Sequence, residues 1–232
     1  MPRRKKNTKK NRKKTRPLRR LLSLGPTYPN ALVAKHRYTE DFALLGGYTN
    51  MDIPASAKHS FRTASLFDPD HSGTGHQPLF FDQMNAIYNK YRVLGSVIKV
   101  KFINVSSEPV QVFLRHSSGT LGSGWDTDKL RERGTKHRIL SAKEAGGNSC
   151  TLTSYYSPSK FYGQSKASIR NDAELADDID AGTRPLKMSY WECLVAQVDT
   201  ALGGAEDHRV KCMVEINYTA MWNDIKDFNT DS

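Results

Sequence analysis

Along residues 210–220, Val210, Cys212, Val214, Ile216, Tyr218 and Ala220 alternate with Lys211, Met213, Glu215, Asn217 and Thr219. A period of two sends the two sets to opposite faces of an extended chain, so this run predicts a strand with one buried face. The same alternation places Ile98, Val100 and Phe102 against Lys99 and Lys101, and Val110, Val112 and Leu114 against Gln111 and Arg115. Ser106, Ser107 and Pro109 supply turn chemistry between these two runs, which predicts a hairpin-like pair. Further strands are predicted over 34–45, 59–66, 149–156 and 186–198, the last apolar on both faces and therefore covered on both.

Two segments break the period of two. Phe80, Met84, Ile87 and Tyr91 recur at helical spacing and predict a three-turn helix opened by Asp82, with its aromatic face packed on a sheet edge. A second helix is predicted from Asp126 through Arg133, stopped by Gly134. The stretches 68–77, 117–124 and 165–184 read as loops from their Gly, Ser, Asp and His content. Strands separated by long loops, with one or two short helices, predict an all-β fold, a sandwich or jelly roll, as one domain over residues 31–232.

Charge divides the chain differently. Twelve of the first twenty residues are basic and none is acidic: Arg3, Arg4, Lys5, Lys6, Lys9, Lys10, Arg12, Lys13, Lys14, Arg16, Arg19 and Arg20. The chain has 35 basic and 24 acidic residues, so removing these twelve leaves 23 − 24 = −1 on the remainder. A terminal arm over residues 1–30, with little to bury and like charges throughout, is expected to be disordered until a polyanion neutralises it. Nucleic acid phosphate is the expected partner, with nuclear import as a compatible second use of the Lys/Arg run. Lys35, Arg37 and Lys58, close to the arm or on inner strands, are further candidates for nucleic-acid binding.

Other chemistry is sparse. Leu18 to Leu24 is interrupted by Arg19, Arg20 and Ser23 and does not make a secretory core, and no apolar run approaches the ~18 residues of a membrane span, so membrane insertion is not expected. Cys150, Cys193 and Cys212 lack metal-site spacing and read as buried thiols. The sequons at Asn104 and Asn217 fall in strand-like runs and read as chance matches. Nucleotide-binding, zinc-protease and nucleophile-elbow motifs are absent and the histidines are scattered, so neither an enzyme nor a cofactor is expected. Asp68-Pro69-Asp70-His71-Ser72-Gly73 imitates half a calcium loop, but Leu79 stands where a bidentate Glu is required. Glu174, Asp177, Asp178 and Asp180 read as a solvated acidic loop, with a calcium between subunits as the alternative.

One segment is more specific. Phe61-Arg62-Thr63-Ala64-Ser65-Leu66-Phe67-Asp68-Pro69-Asp70, followed by Phe81-Asp82-Gln83-Met84-Asn85-Ala86-Ile87-Tyr88-Asn89-Lys90-Tyr91-Arg92-Val93-Leu94-Gly95-Ser96, resembles the capsid proteins of circovirus-like viruses with circular single-stranded DNA. The resemblance runs from Ser60 to Asn104, about a fifth of the chain, and the basic arm matches it in kind. It implies a single jelly roll, an eight-stranded β-sandwich of two four-stranded sheets, with self-assembly as about sixty copies into an icosahedral shell, a packaged single-stranded DNA genome and an arm facing inward. It also implies residence in the virion and the host nucleus, a nuclear import receptor as partner, and a cell-surface receptor that the sequence does not identify. Two readings compete: a basic ribosomal or chromatin-associated protein, and a viral movement or nuclear-shuttle protein. A ribosomal protein usually spreads basic charge over its folded body as well, whereas this body is neutral.

Overall fold

A computed structural model of the chain describes residues 29–46, 55–122, 125–178, 185–198 and 208–226. Its elements are β1 (Ala31–Gly46), β2 (Lys58–Arg62), α1 (Phe81–Asn85), β3 (Tyr88–Asn104), β4 (Val110–Ser117), α2 (Thr127–Glu132), β5 (Lys136–Leu140), β6 (Ser149–Tyr156), α3 (Pro158–Phe161), α4 (Lys166–Asn171), β7 (Ala176–Asp178), β8 (Tyr190–Gln197) and β9 (His208–Ile225). One sheet runs β1-β9-β3-β6 and the other β2-β8-β4-β5. Leaving out the short β7, the antiparallel pairs are nested: β1 with β9, β2 with β8, β3 with β6 and β4 with β5. A hairpin of four nested pairs, rolled into two sheets, is a jelly roll. β7 lies on the edge of β3 that β6 leaves free, pairing with Lys90 to Arg92 while β6 takes Ser96 to Ile103.

Alternation survives into the structure where the sequence is strictly periodic. Even-numbered residues of β9 from His208 to Trp222 are buried, and Ile98, Val100 and Phe102 of β3 face the same interior. Trp191, Trp222, Tyr38, Phe61 and Phe102 fill the space between the sheets, each 0 % exposed. Burial of such a side chain is worth about 1.5–3 kcal/mol, which makes this aromatic layer a major source of stability. β8 is buried on both faces because Phe113, Leu194 and Ala196 turn outward against Ala57, Leu121 and Leu130, beneath α2. α2 itself begins as expected: Asp126 accepts from the Lys129 amide at 2.8 Å, and Gly134 ends the helix at φ 69°.

Three expectations are corrected. The three-turn helix is the single-turn α1, and Tyr91 belongs to β3. Strand pairing with the long β9, Tyr88 to Ile225 and Tyr91 to Trp222, supplies backbone partners that outweigh the local helical spacing. Phe80 accordingly leaves the core: it sits at φ 67° and 69 % exposed, while Phe81 is buried against Tyr91 and Trp222. The predicted hairpin also does not form, because β3 and β4 lie in different sheets. Asn104 turns the corner between them: its side-chain amide donates to the carbonyls of Glu108 and Ser141 at 2.7 and 2.9 Å, and its carbonyl accepts from the Ser106 amide at 3.0 Å. Fully buried there, it is closed to glycosylation in the folded chain. Finally, the predicted loop 165–184 contains α4 and β7, and β5 adds a strand that the sequence pattern did not mark.

A bulge explains how Tyr91 and Val100 reach one core. Register shifts between Val93 and Gly95, so Tyr91 and Val93 face inward before it and the even positions Ser96 to Phe102 after it. A side chain at Gly95 would bring its Cβ to 3.3 Å from the Tyr156 carbonyl, a tight approach that favours glycine.

Buried polar groups tie the loops to this frame. Arg62 donates to the carbonyls of Asp68, Asp70 and His71 and pairs with the Asp68 carboxylate at 2.5 Å. Tyr91 Oη accepts from the amides of Leu66 and Phe67 at 3.0 and 3.1 Å and donates to Asp177 at 2.5 Å. Burial, and then the Asp177 charge, push this phenol far above its ordinary value, so it remains a donor. Arg92 caps the end of α4 by donating to the carbonyls of Arg170 and Asp172. Cys193 and Cys212 are buried free thiols, as expected, and Cys150 is a half-buried one.

Tyr91→Phe keeps the ring but strands two amides and a hydroxyl-bonded carboxylate, and is expected to cost about 2 kcal/mol; Tyr91→Ala is expected to cost about 3–5 kcal/mol. Urea midpoints with an unchanged slope check both. A second expectation concerns acid. His116, packed against Phe161 and Trp191, is pushed down to about 4 by burial, and burial also lowers His36, whose Nε2 accepts from Trp222 Nε1 at 3.0 Å. Below about pH 6.5 the unfolded state takes up these protons first, so stability is lost as pH falls from 6.5 towards 4. Urea unfolding at pH 7 and 4.5 measures the loss, and His116→Gln is expected to reduce it.

Candidate nucleic-acid interface

The chain enters the described fold at the end of the β1-β9-β3-β6 sheet, where the Pro29 carbonyl accepts from Tyr88 Oη at 2.8 Å. The arm residues Arg3 to Arg20 lie outside the described residues. What the structure supplies is the surface beside their point of attachment.

That surface follows from strand parity. With even positions of β1 and β9 turned inward, Lys35 and Arg37 project outward from β1, and Arg209 and Lys211 from β9. β3 adds Lys99 and Lys101 on the same side, because Lys99 lies opposite Glu215 and Lys101 opposite Met213 in the antiparallel register. Rows therefore cross the sheet: Thr39, Glu215, Lys99 and Thr153 in one, and Asp41, Met213, Lys101 and Thr151 in the next. Along the stretch of β1 from Lys35 to Leu45 and its partners, six cations share this face with two carboxylates, a balance of 6 − 2 = +4 on a body whose overall charge is near zero; towards the other end Lys90 is met by Asp178 and Asp224.

The two carboxylates are already engaged. Arg37 pairs with Glu215 at 2.6 Å and Lys211 with Asp41 at 3.6 Å. Hydrogen bonding from Asn217, with Arg37 and Lys99 nearby, holds the Glu215 carboxyl below its ordinary value, so it stays charged. Lys35, Lys99 and Lys101 form no ion pair among the described residues. Tyr155, 68 % exposed at the β6 edge, lies opposite Val97 in the row next to Lys99, with Lys136 Nζ 6.0 Å from its ring centre. Cations flanking an exposed aromatic ring can hold phosphates and stack a base.

The outside of the other sheet differs, being covered by α2 and the loop before it. Lys58 belongs there: it lies on β2 and donates to the Leu121 carbonyl at 2.8 Å. The structure thus brings Lys35 and Arg37 together and separates Lys58 from them. Lys99, Lys101, Arg209, Lys211 and Tyr155 were missed as site residues. Their signal was present as the polar half of each alternating strand, but only sheet order makes them neighbours.

The acidic loop does not converge. Glu174 pairs with Lys187 at 2.5 Å, Asp177 binds Tyr91, and Asp178 approaches Lys90 at 3.7 Å; Asp180 lies outside the described residues. Each described carboxylate has its own partner, which leaves no shared calcium cradle among them.

No protein-family model matches the chain, and no curated protein matches it. Solved structures similar to it include Desmodium yellow mottle tymovirus, at 10% identity over 90% of this chain and 97% of that one, TM-score 0.42. A semi-empty virus-like particle of the Macrobrachium rosenbergii nodavirus aligns at 8% identity over 88% and 100%, TM-score 0.42. The decameric BFDV capsid protein aligns at 10% identity over 84% and 99%, TM-score 0.37.

Replacing Lys35, Lys99 and Lys101 together by Gln is expected to make the salt dependence of single-stranded DNA binding shallower, by about 2 in the slope of log K against log[salt], at about 0.7 per phosphate contact. Fluorescence anisotropy over a salt series measures it. An unchanged slope would place the contacts elsewhere.

Proposed function

We propose that this chain is the capsid protein of a small icosahedral virus and packages single-stranded circular DNA on its Lys/Arg-rich arm. The observation that carries the reading is the joint placement of charge and fold. A jelly roll leaves one sheet face open and basic, and the arm holding twelve cations attaches at the end of that same sheet. In a closed shell with this face inward, arm and sheet act on one enclosed polyanion. About sixty copies would bring about 700 arm charges and, from the sheet face, about 240 more. The specific resemblance over residues 61–96 supports DNA as the polyanion, since phosphate attraction alone does not separate DNA from RNA.

In this reading residues 1–30 act as a tether for the genome and as a nuclear import signal, and residues 31–232 form the shell. Self-association through the loops at the sandwich ends closes the particle, and the chain itself carries out no catalysis. Exposed apolar side chains at such loops, Leu79, Phe80 and Leu186, are 75, 69 and 83 % exposed and suit contact with a second copy.

Negative-stain microscopy of the purified chain is expected to show uniform round shells. Persistent monomers would favour the movement or nuclear-shuttle alternative. Deleting residues 1–20 leaves every described core side chain in place and is expected to give shells without nuclease-resistant nucleic acid. Normal packaging by the truncated chain would remove the arm from this role.

A further inference from the structure

Glu40 is out of place. Inward positions of β1 carry His36, Tyr38, Phe42 and Leu44, and among them one carboxylate points toward the sandwich interior, in register with the buried Val214. Two other ligand-type side chains meet it there. His59 comes from β2, in the opposite sheet, its ring held between Phe42 and Phe61 at 4.4 and 4.8 Å. Asp70 comes from the following loop, bridged to Phe61 and 0 % exposed. One donor atom from each of Glu40, His59 and Asp70 lies within 4.8 Å of the other two.

The hydrogen bonding around this trio resembles a shell built around something else. Tyr38 Oη donates to Glu40 Oε2, and the Ser72 amide and hydroxyl donate to the two Asp70 oxygens at 2.9 and 2.5 Å. Each carboxylate is thereby oriented from behind, as outer-shell partners orient metal ligands. His59 Nε2 comes to 3.0 Å from Asp70 Oδ1 yet is buried without a hydrogen bond. That separation is close to the ~3.3 Å edge expected between two ligands on one tetrahedral ion with bonds of about 2.0 Å. Among the described residues neither Glu40 nor Asp70 forms a salt bridge with lysine or arginine; Arg62 binds the Asp70 carbonyl and the Asp68 carboxylate. Two carboxylates this close, one fully buried, call for a cation. Gly75 keeps the space, since a Cβ there would sit 2.6 Å from Tyr38 Oη and 2.7 Å from Asp70 Cβ.

We propose that Glu40, His59 and Asp70 bind a zinc-type divalent cation that staples the two sheets at their open corner. An imidazole with two carboxylates suits zinc and its first-row neighbours rather than the all-oxygen preference of calcium or magnesium. A cavity of ≈ 290 Å³, lined by His59, His71 and Ser72 among others, opens the His59 side of the trio to solvent. Binding adds cross-links between β1, β2 and the loop over 63–80, which no backbone ladder joins to β1. The proposal is independent of the capsid reading.

The test is calorimetric titration of the chelator-stripped full chain with zinc chloride, with calcium chloride as control, followed by cobalt(II) and visible absorption. Wild type is expected to take up one equivalent of zinc, raise its thermal midpoint, and give intense tetrahedral cobalt bands. His59→Asn and Glu40→Gln, each checked for native circular dichroism, are expected to bind more than about tenfold more weakly. If Asp70→Asn fails to fold, those two variants decide the matter. Absence of zinc uptake by wild type, equal uptake of calcium, or unchanged zinc affinity in both variants would overturn the site.

Discussion

Everything in this fold leans on the backbone ladder along β9. Its eighteen residues pair on one side with β1, position by position from Ala31 to Gly46, and on the other with β3 from Tyr88 to Asn104. Because side chains alternate, this register decides the surface as well as the core. A slip of one residue would turn Val210, Cys212 and Val214 to solvent and drive Lys211 and Glu215 between the sheets. The apolar cost of that slip is what holds Lys35, Lys99, Lys101 and Lys211 on one outer face. Core and basic surface are therefore two consequences of one set of hydrogen bonds.

The two sheets are treated unequally. α2 and its loop close the outside of β4 and β8, and Glu192, fully buried there, pairs with Arg115 and accepts from the Leu121 amide. On the β1-β9-β3-β6 sheet, Lys35, Lys99, Lys101 and Lys211 stay exposed, with none of the described residues covering them. That asymmetry, with the arm rooted at the same sheet, gives the body one exposed basic side and a differently finished opposite side.

Much of this was legible from residue order. Strict alternation marked β9, which runs on to Ile225, and the second half of β3; the strand expected over 149–156 is β6, and two-faced apolarity marked β8 as covered on both sides. Asp126 and Gly134 delimited α2 because a cap and a left-handed stop are local devices. Local reasoning failed at 80–93, where spacing suited a helix but β9 offered a longer run of backbone partners. It failed again at Asn104, since turn-forming residues look alike whether a strand returns to its own sheet or crosses to the other. The basic face was half visible, with the lysines seen one strand at a time and their neighbours unseen.

Residue order alone determined the segregation of charge into an arm, the β character of the body and the parity of its best strands, because composition and a period of two are properties of contiguous sequence. Only the tertiary structure decided which strands share a sheet, and so which lysines form a surface and which of Glu40, His59 and Asp70 meet. Those choices depend on contacts between residues as far apart as Lys35 and Thr219. Their free energy comes from jointly burying side chains that no short window of sequence contains.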